Sequence, residues 1–476
     1  MKKVYITISV LVLAYIVLRA ICVPFTHDEA YTYLSYIQVP VVDIILYENP
    51  TANNHILNTL LAKLCSIFSV SEFSLRLPAV LAGCLYLYTC YKVCRLLVAD
   101  HMLQLCFFIA LLANTALIDF FSLCRGYGLG ISLMMFAVYQ CLLLTKADGN
   151  NIYKLTHATL LSCMLATYAN FALMVPALGL FLFIFLHHYQ YERKFWRAAR
   201  LPFIYGLSIV ALCAYPIYRL IKANELYHGG DNNFIDDTMY TMMVDMTDNW
   251  VQEPGYRDTL MVPFVLITAI SIGIAVYRLI VHKNKDWSFL LVPLLLLFCI
   301  IMVNLQFYLM GTKLLTYRTA LYLYPLIVVC AFSASQLIKL SLMFKRMSIS
   351  SLTALLLLGF LLQANIDHTR EWWFDSDNKK MLEYIVANRP ANERKIKLFT
   401  NWLMSYSANY YIATRYSEQI EAVPLEKDNT RNLDLSSFDF VFIRKQDQLP
   451  PSMSLGRPLS FDNKRLLLYS KSRSTN

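Results

Sequence analysis

The chain has 476 residues, of which 57% are hydrophobic and only 16% charged, with a formal net charge of +10. That balance excludes a water-soluble core of this size and implies a polytopic α-helical membrane protein. The basic residues fall between apolar runs, where cytoplasmic loops carry them, so the positive charge points to the membrane and not to nucleic acid.

In chain order, Val4 to Pro24 is the first run long enough to cross a bilayer, and Lys2 and Lys3 hold its start in the cytoplasm. It is longer than a signal-peptide core and lacks a small-residue cleavage site, so an uncleaved anchor is expected. His27-Asp28-Glu29 follows on the outer side, at the head of an outer loop of residues 25–73. Within that loop the run Ile56 to Val70 is too short to cross and is expected to lie along the outer surface or to re-enter it, with His55 and Lys63 near the headgroups; counting it as a crossing would invert every later loop. Further apolar runs lie near residues 75–97, 103–118, 127–145, 153–168, 171–187, 201–221, 260–280, 288–309, 318–338 and 349–365, about eleven crossings with the first. Alternation then places Lys92/Arg95, Lys146/Lys154, Arg193/Lys194/Arg197/Arg200, Arg278/Lys283/Lys285 and Lys339/Lys345/Arg346 on the side of Lys2 and Lys3, which supports the count.

The outer side also receives residues 222–258, the stretch Met310 to Tyr317, and a tail of ordinary soluble composition. The pattern predicts two parts: a transmembrane catalytic domain over 1–366 and a small extracytoplasmic α/β domain over 367–476. In the tail it predicts helices through Lys379 to Ala387 and near Ser405 to Tyr411. Strands are predicted at Lys397 to Thr400, Phe438 to Ile443 and Leu466 to Tyr469. None of the 12 Cys lies beyond Cys330 and none forms a C-x-x-C pair, so they read as small buried hydrophobes. The absence of an N-x-S/T acceptor with a permitted middle residue leans toward a bacterial inner membrane.

Candidate chemistry gathers at the outer ends of the runs. Asp28 and Glu29 sit at a membrane edge, where a carboxylate calls for water, a metal or a cation; Asp28 can equally cap a short helix over Ala30 to Tyr36. Tyr47-Glu48-Asn49-Pro50-Thr51-Ala52-Asn53-Asn54-His55 is dense in groups that bind hydroxyls, phosphates or a cation, or it is a plain turn. Asp119 and Arg125 flank an outer turn and can pair with each other, while Gly126 and Gly128 lack the strand and spacing of a phosphate-binding loop. Lys313 and Arg318 are outer cations that the positive-inside tendency disfavours, which suggests a phosphate at headgroup depth. Tyr317, Tyr322 and Tyr324 would line the path of a lipid tail, unless they form an ordinary aromatic belt. The loop 222–258 carries His228, Asp231, Asp236, Asp237, Asp245, Asp248 and Glu253, and its length suggests function.

Taken in order, these residues resemble the GT-C superfamily of polyprenyl-phosphate-dependent glycosyltransferases, in particular its protein O-mannosyltransferase and lipid A aminoarabinose transferase branch. The carriers are Asp28-Glu29 after the first crossing, His55 opening a surface helix, Ser74-Leu75-Arg76-Leu77-Pro78, Arg125-Gly126-Tyr127-Gly128, and Lys313/Arg318 with Tyr324-Pro325. The resemblance spans nearly the whole chain. It implies a fold of many transmembrane helices with juxtamembrane helices in the first outer loop and an outer C-terminal domain. It also implies a lipid-linked sugar donor, Asp28 as catalytic base, Asp119 as a second outer acid, and Glu48 and His228 at positions that hold a divalent cation. The first loop departs from the His-Pro-Pro or Glu-Lys-Pro-Pro of many relatives, reading Glu48-Asn49-Pro50 and His55-Ile56-Leu57.

The expected reaction is transfer of a sugar from a polyprenyl phosphate to a hydroxyl of a protein, lipid or glycan acceptor, with inversion. Asp28 and Glu29 form its acidic centre, and His55, Asp119, Arg125, Lys313, Arg318 and Tyr317 bind substrate. A lipid-activated sugar makes a nucleotide cofactor unnecessary. The rival expectation is a transporter or flippase for a lipid-linked or amphipathic solute, with the acids as a gate, but such proteins usually show repeats and midplane ionisable residues, whereas here the strongest candidates gather at helix ends on one face. A third expectation is a scaffold that binds other envelope proteins through the 367–476 domain; lost binding with intact sugar transfer on its removal would assign the domain a recognition role.

Overall fold

The computed structural model describes residues 2–247, 254–281, 286–388, 394–425, 435–447 and 458–470; Asp248, Glu253, Lys283 and Lys285 lie outside them. Two compact units emerge. One comprises residues 1–17, 44–61 and 76–364, the other residues 18–43, 62–75 and 365–476.

The first unit is a bundle of long helices. Among the described residues, eight helices are long and apolar enough to cross a membrane: Lys2–Cys22, Glu72–Leu97, Gly126–Leu144, Phe171–Glu192, Phe195–Lys222, Met261–Ile280, Trp287–Met310 and Leu342–Gln363. The remaining expected runs form the shorter His101–Leu112 and Leu323–Leu337 and the less apolar Asn150–Ala169. Local signals set the boundaries. Asp100, Asn114 and Ser341 cap helix starts by accepting from Leu103, Leu117 and Phe344 amides, and Gly311 ends Trp287–Met310 in the left-handed conformation at φ 66°. The run expected to continue to residue 118 stops at Leu112, because Asn114 starts a separate short helix, Thr115–Asp119.

Phe107 stacks on Phe332 with centroids 4.3 Å apart, and Tyr324 donates its hydroxyl to the Ala110 carbonyl at 2.6 Å. Tyr322 and Tyr324, expected on a lipid-tail path, are therefore core residues, 2% and 1% exposed. The helix after His55 spans Ile56–Ser66; its 11 residues rise only about 16 Å, too little for a core of about 30 Å.

The second unit holds the sheet. Strands β1 (Leu398–Thr400), β2 (Phe440–Arg444) and β3 (Leu466–Ser470) lie in that order, β1 parallel to β2 with Phe399 opposite Val441, and β2 antiparallel to β3 with Phe442 opposite Leu468. Phe399, Leu435, Val441 and Ile443 form a small core, with Phe438 and Tyr469 against it. Helices Asn378–Ala387 and Trp402–Tyr411 complete the α/β arrangement that the alternating pattern predicts.

Candidate active site

Asp28 lies on the short helix His27–Thr32 of the second unit, and three layers of contact fix that helix. At its start, Thr26 and Glu29 form a capping box: the Thr26 amide and hydroxyl both donate to Glu29 Oε2 at 3.0 Å. The cap expected of Asp28 thus belongs to Thr26, and Asp28 occupies the second helical position, half-buried. Glu29, expected beside Asp28 as a catalytic acid, is fully buried with an oxygen committed to the cap.

The residues before the helix are held next. The Phe25 amide donates to Tyr411 Oη at 2.7 Å, Ser407 Oγ donates to the Phe25 carbonyl, and the Phe25 ring stacks on Tyr410 with centroids 4.1 Å apart. Tyr411 in turn donates to Glu72 at 3.1 Å. Glu72 is buried and also meets Lys379 at 2.7 Å and Arg415 at 2.8 Å, so one carboxylate collects two cations and a phenol.

His27 makes the third layer. Its amide donates to Asp375 Oδ2 at 2.7 Å, and its Nδ1 lies 2.6 Å from the Leu403 carbonyl. A carbonyl can only accept, so Nδ1 carries the proton. The ring stands edge-on to Tyr406 and Trp402, at 4.9 and 5.6 Å. Asp375 itself is 1% exposed and also accepts from Asn378 at 3.0 Å. Burial pushes its carboxyl well above the ordinary range; the two hydrogen bonds pull the other way, and the Asp28 and Glu29 charges add to the rise. The sequence reading missed Asp375 and Glu72. An available signal was the setting Trp372-Trp373-Phe374-Asp375, an acid at the end of an aromatic run.

The other expected residues belong to the first unit. His55 Nδ1 lies 3.1 Å from the Ala169 carbonyl, and its ring meets Tyr127 edge-on at 4.6 Å. Arg125 is 1% exposed and donates to the Asn53 carbonyl at 3.0 Å, with its guanidinium 5.9 Å from the Tyr127 ring. Gly126 lets these groups meet: a Cβ there would lie 2.2 Å from the Ala169 oxygen and 2.6 Å from His55 Cβ. Asp119 is the last residue of Thr115–Asp119, and its carbonyl accepts from Ser122 Oγ at 2.8 Å.

Lys313 pairs with Asp231, next to a two-way backbone bridge between Gly230 and Leu314 at 3.0 Å. Tyr317, half-exposed with φ 47°, donates its amide to Thr241 at 3.0 Å and opens the short turn that carries Arg318. Glu48 lies 3.7 Å from Arg219, and the exposed His228 stacks beside Tyr227 with centroids 4.0 Å apart. Among the described residues no group of three or more His, Cys, Asp or Glu side chains is placed to hold a metal ion.

No protein-family model matches the sequence, and no curated protein matches it significantly. Solved structures do match its fold. ArnT from Cupriavidus metallidurans bound to undecaprenyl phosphate superposes with a TM-score of 0.55 at 11% identity, over 99% of this chain and 98% of that one. The same protein in the apo state gives 0.54 at 10% identity, over 99% and 97%. The chain thus shares the fold of ArnT along its full length and, with its many long apolar helices, is an integral, multi-pass membrane protein.

Proposed function

We propose that this protein is a membrane glycosyltransferase that moves a sugar from a polyprenyl-phosphate donor to an acceptor hydroxyl on the extracytoplasmic side of a bacterial inner membrane. The observation that carries the reading is a fold shared along its full length with a protein that binds undecaprenyl phosphate. Asp28 adds to it, as an acid that follows the first span and whose helix is held at its start by a capping box and by Tyr411 and Asp375. Asp28 accepts the proton of the acceptor hydroxyl as that oxygen bonds to the anomeric carbon; the bond from that carbon to the lipid phosphate breaks on the opposite face, giving inversion. Lys313 and Arg318 take the charge that develops on the departing lipid phosphate, Lys313 by exchanging its ion pair with Asp231.

His55, Asp119, Arg125 and Tyr317 bind substrate, and Glu48 with His228 would take a divalent cation only with water or substrate as further ligands. No step of the reaction is routed through that cation. The test is Asp28→Asn in the purified, reconstituted full chain. A positioned base contributes about 10²- to 10⁴-fold, so transfer should fall by that factor with normal protein level and donor binding. Undiminished transfer would remove Asp28 from the role. Mass spectrometry of envelope glycans and lipids with and without the protein identifies the sugar and acceptor from the missing mass.

A further inference from the structure

The turn that joins the spans Phe171–Glu192 and Phe195–Lys222 carries four cations within eight residues: Arg193, Lys194, Arg197 and Arg200. All four are exposed, and among the described residues none of them forms an ion pair. Other cations that the charge alternation puts on the same side are engaged. Arg346 pairs with Asp100 at 2.6 Å, Arg278 donates to the Leu337 carbonyl, and Arg95 donates to Tyr91 Oη at 3.0 Å. Glu192, the acid that precedes the four, accepts from Tyr153 Oη at 2.9 Å instead.

Helix stability does not account for these charges. Arg193 ends its helix in the left-handed conformation at φ 57°, a place that favours glycine. The next helix starts with no acid in its first turn, although cations are disfavoured at that end of a helix. Large rings stand beside them: Trp196 is 82% exposed, Phe203 69% and Tyr191 68%. The placement is directional. Ala198, Ile209, Cys213, Pro216 and Leu220 form the buried stripe of Phe195–Lys222, and at about 3.6 residues per turn Trp196, Arg197, Arg200 and Phe203 fall on the side turned away from it. Trp and Tyr favour the boundary between hydrocarbon and headgroups, while Arg and Lys bury their stems in apolar surface and carry their charge to the phosphates.

We propose that this turn is a binding site for anionic phospholipid headgroups. Trp196, Phe203 and Tyr191 seat at the top of the hydrocarbon, and Arg193, Lys194, Arg197 and Arg200 meet the headgroup charge. A zwitterionic headgroup also presents a phosphate, but its own ammonium cancels the charge, so four cations without acidic partners select lipids of net negative charge. Each Lys or Arg held at such a surface multiplies affinity by about fivefold. An acidic soluble protein would satisfy the cations alone and gain nothing from rings level with the hydrocarbon, so the rings favour lipid. The site uses only two spans and their turn, and it stands whatever reaction the protein performs.

The experiment uses the full chain in nanodiscs of equal parts dioleoylphosphatidylglycerol and dioleoylphosphatidylcholine. After partial delipidation, mass spectrometry counts the lipids that stay bound. Wild type should keep the anionic lipid over the neutral one by at least about fivefold at about 0.05 M salt, and less so at about 0.5 M, where screening is stronger. Arg193→Gln, Lys194→Gln, Arg197→Gln and Arg200→Gln together should lower that preference at least about fivefold. If the fourfold variant does not fold, Arg197→Gln with Arg200→Gln decides, with an expected loss of at least about threefold. Lipid brominated near the headgroup end of its chains should quench the tryptophan emission of wild type more than that of Trp196→Phe. Equal retention of the two lipids by wild type, a preference that survives the charge substitutions, or equal quenching with and without Trp196 overturns the proposal.

Discussion

Replacing Gly126 by Ala adds a single methyl group where the chain has no room for one. The new carbon would lie 2.2 Å from the Ala169 carbonyl oxygen and 2.6 and 2.7 Å from His55 Cβ and Cγ. Ordinary carbon–carbon contacts sit at about 3.5 to 4.0 Å, so the neighbours must give way by roughly 1 Å. Neither neighbour is the loose end of a flexible side chain: one is backbone, the other the root of a ring held at 3.1 Å to that same carbonyl. Overpacking of this kind costs about 1–3 kcal/mol, and Ala in a helix returns at most about 1 kcal/mol, so a net loss of about 1–2 kcal/mol is expected. It should appear as a drop of several degrees in apparent unfolding temperature in nanodiscs, with a fall in transfer rate as the His55 ring is displaced. Gly206 and Gly273 are the controls: an added Cβ meets only Phe181 Cε2 at 3.9 Å at the first and nothing within 4 Å at the second, so Ala at either should be neutral or mildly stabilising. If Gly126→Ala unfolds at the wild-type temperature and matches the two controls, the close-approach argument is wrong.

Glu72→Gln should lower the unfolding temperature further than a typical surface change. It leaves Lys379 and Arg415 facing a neutral amide in place of a buried carboxylate, at a cost of up to about 3 kcal/mol, the low end for a broken buried pair because Arg415 is 40% exposed. Lys379→Met alone should do less, since Arg415 still meets Glu72; an equal effect from both variants would contradict the shared-carboxylate geometry. Lys313→Met and Arg318→Met should each raise KM for the donor by about tenfold, the size of one charge-assisted hydrogen bond, with the fold intact. Asp231→Asn, which frees Lys313 from its ion pair, should lower KM or leave it unchanged. A raised KM in Asp231→Asn would show that the pair serves the loop and not the donor.

Apolar runs and their punctuation carried the architecture into the sequence. The eleven expected crossings each correspond to a helix, and the tail's helices and strands begin within about three residues of where the alternation placed them. These features are local, written in a repeat of 3.6 or 2 residues and in caps such as Asn114 and Ser341. What stayed illegible is tertiary. Nothing near Lys313 announces that Asp231 will claim it, nothing near Glu72 announces Lys379 and Arg415, and Asp375 sits 348 positions from the amide it holds. The Arg-Gly-Tyr-Gly stretch shows the same limit. Its glycines answer to the Ala169 and Phe120 carbonyls brought close by the fold, so a search for a phosphate loop found nothing there.

The braces on Phe25 to His27 also set a clock. Chains are made at roughly 5–20 residues per second, so the 348 positions between His27 and Asp375 take about 17–70 s to synthesise after the first span has entered the membrane. Through that interval the acidic turn lacks the braces that residues 375–411 supply, and a polypeptide ended before them never acquires those braces. Synthesis past Tyr411 is therefore what first makes the full set of braces available to that turn.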